Sequence, residues 1–175
     1  MSIQPRRSES AIVCPDCGQT VSGLERELRM QLPDDLFKIA DQRHIFAEKR
    51  IQFKGKDFVN LDRKRYFVRV LLPVQLDIDH EFHFGVWLEV DAREAKVAYD
   101  VWESKKYSDL ILSGRLANAV PPWGEKIFNA DCKATVRDQD GLPFISSSSH
   151  PLLSKILVEP WSIHACESAI ESFAQ

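Results

Sequence analysis

No stretch of this sequence approaches the run of roughly twenty apolar residues that a membrane-spanning helix requires. Arg6 and Arg7 are not followed by an apolar segment, so a secretory leader is not expected either. Cysteine is scarce: one close pair, Cys14 and Cys17, and two singletons, Cys132 and Cys166. That spacing is not the dense framework of a small secreted scaffold, and reduced thiols in a cytoplasmic protein are expected. An excess of one charge is missing as well. The 23 Lys and Arg against 26 Asp and Glu leave a formal net charge of -3, which gives no global attraction to nucleic acid or to an anionic membrane. Basic residues do cluster at Lys54, Lys56, Arg63, Lys64 and Arg65, but Asp57 and Asp62 interrupt them, as is usual at solvated strand ends. The expected partner is therefore another protein, with no generic nucleic acid and no membrane.

Several catalytic signatures are also absent. There is no G-x-S-x-G, no P-loop and no G-x-G-x-x-G, and the serines at 146–149 lack the flanking glycines that expose a nucleophile. Neither an internal repeat nor a βαβαβ alternation is visible, which disfavours a doubly wound nucleotide fold. What the chain does have is 44% hydrophobic residues, with ten Phe and four Trp among its 175 positions, enough for one well-formed core. The reading is a loose polar tail over residues 1–11 and a single domain over 12–175. Its fold class is α+β: a mainly antiparallel sheet with helices packed on one face, preceded by a C-x-x-C knuckle.

The periodicities behind that reading are local. Asp34 or Asp35 can cap a helix through Leu36, Phe37, Ile39 and Ala40 that extends toward Phe46. Ile51 to Phe53 and Phe58 to Leu61 have the look of short strands. Residues 65–72 alternate, and Pro73 is expected to end that strand. The strongest period-two signal runs from Glu81 to Val90, which predicts buried Phe82, Phe84, Val86 and Leu88 and more exposed Glu81 and Glu89. If the two strands pair antiparallel, Arg65 and Arg69 share a face with Glu81 and Glu89. Ala95, Ala98, Tyr99 and Trp102 form a helical stripe behind Asp91, a candidate N-cap, in a helix read as running to Ser104. Strands are expected at 110–112, 133–137 and 142–145, the last two joined by a turn at Asp138 to Gly141. Pro151 suits the first turn of a helix that Pro160 closes. A last helix, capped by Ser162, carries Ile163, Cys166, Ala169, Ile170 and Phe173 on one stripe.

Two groups of residues could carry chemistry. Cys14 and Cys17 have the spacing at which two thiolates reach one tetrahedral zinc, and Gly18 directly after them is common in zinc knuckles. A closed site needs four ligands, and no second C-x-x-C follows. Cys132, Cys166, His44 or another chain would complete it, with Cys132 the leading candidate because it is less embedded in a helical pattern. Zinc is the only cofactor expected, and an inert turn remains the alternative. A redox pair would need a helix N-terminus, which the proline-containing knuckle does not offer. In His80-Glu81-Phe82-His83 the two histidines are three apart on a strand and so point to opposite faces. Glu81 and His83 share a face that is most simply a polar outer surface. His150 is read as capping or orienting the following helix.

The segments Cys14-Pro15-Asp16-Cys17-Gly18, Tyr66-Phe67-Val68-Arg69, Phe84-Gly85-Val86-Trp87 and His150-Pro151-Leu152 occur in an order that resembles the bacterial domain-of-unknown-function family number 2199. The resemblance runs from Cys14 to Phe173. It implies a further histidine four residues after the second cysteine and a further cysteine in the strand before F-x-R, where this chain has Val21 and Val59. On that comparison half of a metal site would be lost. The family implies no activity, so no catalytic residue is assigned. The functional expectation is a cytoplasmic, non-enzymatic binding or regulatory protein, such as an inhibitor or immunity-type partner. The alternative is a hydrolase or metal enzyme assembled from Glu81, His83 and His150.

Overall fold

The structure, a computed structural model, describes residues 12–18, 20–21, 27–42 and 49–167. The expected tail at 1–11, His44, the helix extension toward Phe46, and Ala169, Ile170 and Phe173 lie outside the described residues. In chain order the elements are β1 (Ile12–Val13), β2 (Thr20–Val21), β3 (Leu28–Arg29), α1 (Asp34–Gln42), β4 (Ile51–Lys54), β5 (Phe58–Leu61), β6 (Arg65–Leu76), β7 (His80–Val90) and α2 (Ala92–Val101). A 3-10 turn (Lys105–Asp109), β8 (Ile111–Leu116), β9 (Asp131–Thr135), β10 (Phe144–Ser148) and α3 (Pro151–Val158) follow. Residues 163–167 are helical again.

The α+β class and the predominance of antiparallel pairing are as the sequence predicts. The arrangement of layers is not. Strands β6 to β10 pair in succession, and β10 returns to β6, so the sheet closes into a small barrel. Antiparallel neighbours alternate in direction, so the first and fifth strands of such a run point the same way and their seam has to be parallel. Phe144 of β10 does pair with Leu71 of β6 in parallel. Closure lets strands cover one another's apolar residues, so the helices need not collect on one face, and they do not. α3 packs on β6 and β10, whereas α2 packs on β6, β8 and the 3-10 turn.

The central ladder joins β6 and β7 from Tyr66↔Val90 to Leu76↔His80. One face of it carries Val68, Val70, Leu72 and Val74 opposite Leu88, Val86, Phe84 and Phe82, all within the core. Glu81 is exposed as the alternation requires, whereas Glu89 departs from it: its side chain is only 12% exposed, held by Arg65. The other parity is not a solvent face, however. Trp87 is fully buried there, with Phe67, Arg69 and Leu71. Arg65 does meet Glu89, with Nε and one terminal nitrogen each donating at 2.7 Å. Arg69 instead stands opposite Trp87, donates to the Met30 carbonyl at 3.1 Å, and lies over the indole at 4.2 Å.

Three local outcomes have clear physical causes. β6 continues through Pro73 to Leu76 rather than stopping. The amides of Arg69 and Leu71 point away from β7, to the carbonyls of Asp57 and Pro143. Residue 73 faces the same edge by alternation, beyond the last β10 pairing at Leu71, so its missing N–H breaks no ladder bond. α2 starts as predicted, with the Asp91 carboxylate accepting from Glu94 N at 2.7 Å, but it ends at Val101, and Ser104 caps the 3-10 turn that follows. At Gly114 a Cβ would sit 2.1 Å from the Glu89 carbonyl oxygen, so β8 crosses β7 at a distance only glycine permits.

Candidate metal centre

Pairing of Ile12 with Val21 and Val13 with Thr20 forms a hairpin at the start of the described chain. Inside its loop, Gly18 N donates to the Cys14 carbonyl at 2.9 Å, and Gly18 takes φ +72, a conformation that suits glycine. This turn brings Cys14 and Cys17 round to one side. Cys14 is buried and Cys17 is exposed, and neither is in a disulfide.

The opposite half of the site is delivered by the far end of the chain. Beyond α3, Trp161 adds to the free edge of β6: its N–H donates to the Gln75 carbonyl at 2.8 Å, and Asp77 N donates to the Trp161 carbonyl at 2.9 Å. The Asp77 carboxylate then accepts from Ile163 N at 3.0 Å, which fixes the start of the helical turn at 163–167. Ile163 and Cys166 face the core, as the predicted stripe has it. His164 and Glu167, three apart, share the next face and approach to 3.8 Å, with the His164 side chain 57% exposed and that of Glu167 only 13%.

These two halves meet. His164 Nδ1 lies 3.8 Å from Cys14 Sγ across 150 positions of sequence. One ligand atom from each of Cys14, Cys17, His164 and Glu167 lies within 4.8 Å of the other three. Among the described residues no other group of three or more His, Cys, Asp and Glu side chains converges in this way. The set of two thiols, an imidazole and a carboxylate can hold a metal ion.

The remaining sequence candidates are elsewhere. Cys132, the expected completer, lies in β9 opposite Gly114 and Ser148, and burial pushes its thiol up to about 12. Cys166 is two residues from His164 but turned into the core, where burial, aided by the charge of Asp77, raises it to about 11. Both are thereby disfavoured as thiolates. Glu81 and His83 do come together, at 2.8 Å, but their companion is Arg137, which donates to Glu81 at 2.7 Å. Burial alone would raise the Glu81 carboxyl; the hydrogen bonds from His83 and Arg137 outweigh it and hold it below its ordinary value. His150 is the N-cap of α3, its Nδ1 accepting from Leu153 N at 3.4 Å. Glu81, His83 and His150 therefore do not form a shared centre.

The pair at His164 and Glu167 is what sequence reasoning missed. Its signal was present: an i, i+3 pair of metal-binding side chains beside the apolar stripe of an amphipathic helix.

Over residues 13–156 the chain matches the family described as an uncharacterized protein conserved in bacteria, DUF2199. The chain belongs to this family. The DUF2199 match contains Cys14 and Cys17 and stops short of His164 and Glu167, so the C-terminal half of the ligand set lies beyond the matched span. Val59, where the DUF2199 resemblance implies a cysteine, is buried in β5 opposite Phe67, in the apolar core rather than at the centre. No curated protein and no solved structure matches the chain.

Proposed function

We propose that Cys14, Cys17, His164 and Glu167 hold one zinc ion, which staples the N-terminal hairpin to the C-terminal helical turn, and that the chain acts as a zinc-stabilised, non-enzymatic binding or regulatory protein of the cytoplasm. The observation that carries this reading is the convergence of four ligand atoms within 4.8 Å of one another from the two ends of the chain. Tetrahedral zinc, with bonds of about 2.0–2.3 Å, needs ligand atoms roughly 3.3–3.8 Å apart. The Cys14–His164 and His164–Glu167 separations are both 3.8 Å, at the long end of that range, so a modest closing of the side chains would complete the shell. Calcium and magnesium prefer all-oxygen shells, whereas two thiolates with an imidazole suit zinc.

Four protein ligands fill a tetrahedral shell and leave no position for substrate, which favours a structural ion over a hydrolytic one. A cross-link that closes 150 residues also removes more unfolded-chain entropy than a short one would. Elemental analysis of protein purified without chelator tests the proposal. The expected result is about one zinc per chain, lost in both Cys14→Ser and His164→Ala. A zinc-free parent, or zinc retained in both variants, contradicts it.

A further inference from the structure

A cleft of about 840 Å³ opens between the β4–β5 turn, α2 with its 3-10 continuation, and the turn at 139–142. Four of its lining residues form a continuous aromatic wall. Tyr99 meets Phe58 edge-to-face at 5.4 Å, Phe58 meets Trp102 at 4.7 Å, and Trp102 meets Tyr107 at 5.1 Å. Such a wall attracts an apolar body and, through its ring faces, a cation. Lys54, also on the lining, places its own ammonium 3.4 Å from the centre of the Tyr99 ring.

Asp57 supplies the polar contact. It lines the cleft, is only 7% exposed, and its carboxylate has no hydrogen-bond partner among the described residues. A buried carboxylate without a donor is costly unless something pairs with it. Tyr107 does not serve, because its hydroxyl donates to the Gly141 carbonyl at 2.6 Å. Arg29 is engaged by Glu27 at 2.7 Å, and Arg69 is turned to Met30 and Trp87. Both lie within electrostatic reach of Asp57 without forming an ion pair with it. Among the described residues the only fully enclosed, unpartnered side-chain nitrogen or oxygen atoms are the indole nitrogens of Trp123 and Trp161. The Asp57 oxygens therefore keep some surface, and the surface available to them is the cleft's.

Once the ion pairs Glu27–Arg29 and Asp100–Lys96 are set aside, the other charges on the lining are Glu103 and Asp140 against Lys54 and Lys56. With Asp57 added, acid is in excess. We propose that this cleft binds a protonated amine carried on an apolar body, with the ammonium donating to Asp57 and the body lying on the Phe58–Trp102–Tyr107 wall. The proposal rests on the reading of the chain as a binding protein but not on the zinc.

Titration calorimetry on the metal-replete full chain tests it, with 2-phenylethylamine, the neutral 2-phenylethanol and the anionic phenylacetate as probes. N-acetyl-lysinamide represents the same chemistry presented by a protein's lysine. Binding of either amine at least tenfold tighter than the alcohol, and weakened at least tenfold in Asp57→Asn, supports the proposal. The tighter of the two amines identifies the source. Equal binding of amine and alcohol, preference for phenylacetate, or no binding of any probe overturns it whether or not Asp57→Asn folds. Zinc content measured on the same samples keeps a failure here distinct from a failure of the metal centre.

Discussion

The barrel and the junction of the two chain ends are held together by different physics. In the barrel, Val68, Val70, Leu72 and Val74 interlock with Phe82, Phe84, Val86 and Leu88 in a core closed on itself. At the junction, two strands of two residues each carry a loop whose Cys17 is exposed, and the facing helical turn shows the solvent a half-exposed His164. A two-residue hairpin cannot bury enough apolar surface to order itself. The barrel is closed by apolar burial; the junction is where a metal ion would do the most. Small appended elements are held by cross-links where large ones are held by burial.

That comparison breaks if the two regions respond alike. Phe84→Ala removes a ring that packs edge-to-face on Phe82 at 5.0 Å and contributes to a fully buried core. It should cost about 3–5 kcal/mol, measured by chemical denaturation, and the loss should be the same with and without chelator. A loss under about 1 kcal/mol would place Phe84 outside the packed core. Chelation should act on the other region. At a free zinc level about a hundredfold above the dissociation constant, the ion contributes about 3 kcal/mol, so its removal should lower Tm by roughly 6–12 °C for a chain of this size. Cys14→Ser should show that lowered Tm already and respond no further to chelator. Smallest of the three, Asp91→Ala removes the N-cap of α2, which belongs to neither the barrel seam nor the junction. It should cost about 1 kcal/mol and leave zinc content unchanged; an altered zinc content would show the two regions to be coupled.

The division between core and junction also explains what was legible in the sequence. Alternation from Glu81 to Val90 is a local signal and identifies the buried face of β7 correctly, as Asp91 and His150 are legible as caps from their immediate neighbours. Closure of the barrel is not local. It rests on a single parallel pairing of Phe144 with Leu71, residues far apart in sequence with no shared pattern. The burial of Trp87 on the other parity follows from a distant segment laid against that face, where its indole Nε1 donates to the Met30 carbonyl at 3.2 Å. The metal centre divides in the same way. Cys14 and Cys17 are recognisable from their spacing alone. Cys132 and Cys166 drew attention because they are thiols, yet the residues that join the pair are an imidazole and a carboxylate placed by the Trp161 bridge to β6 and the Asp77 cap.

The central claim is the identity of the four ligands, and X-ray absorption at the zinc edge reads it most directly. The account predicts two sulfur scatterers at about 2.3 Å and two nitrogen or oxygen scatterers at about 2.0–2.2 Å, with this zinc signal lost in His164→Ala. Three or four sulfurs, which would require Cys132 or Cys166 to have been drawn in, or a shell unchanged by His164→Ala, would contradict it.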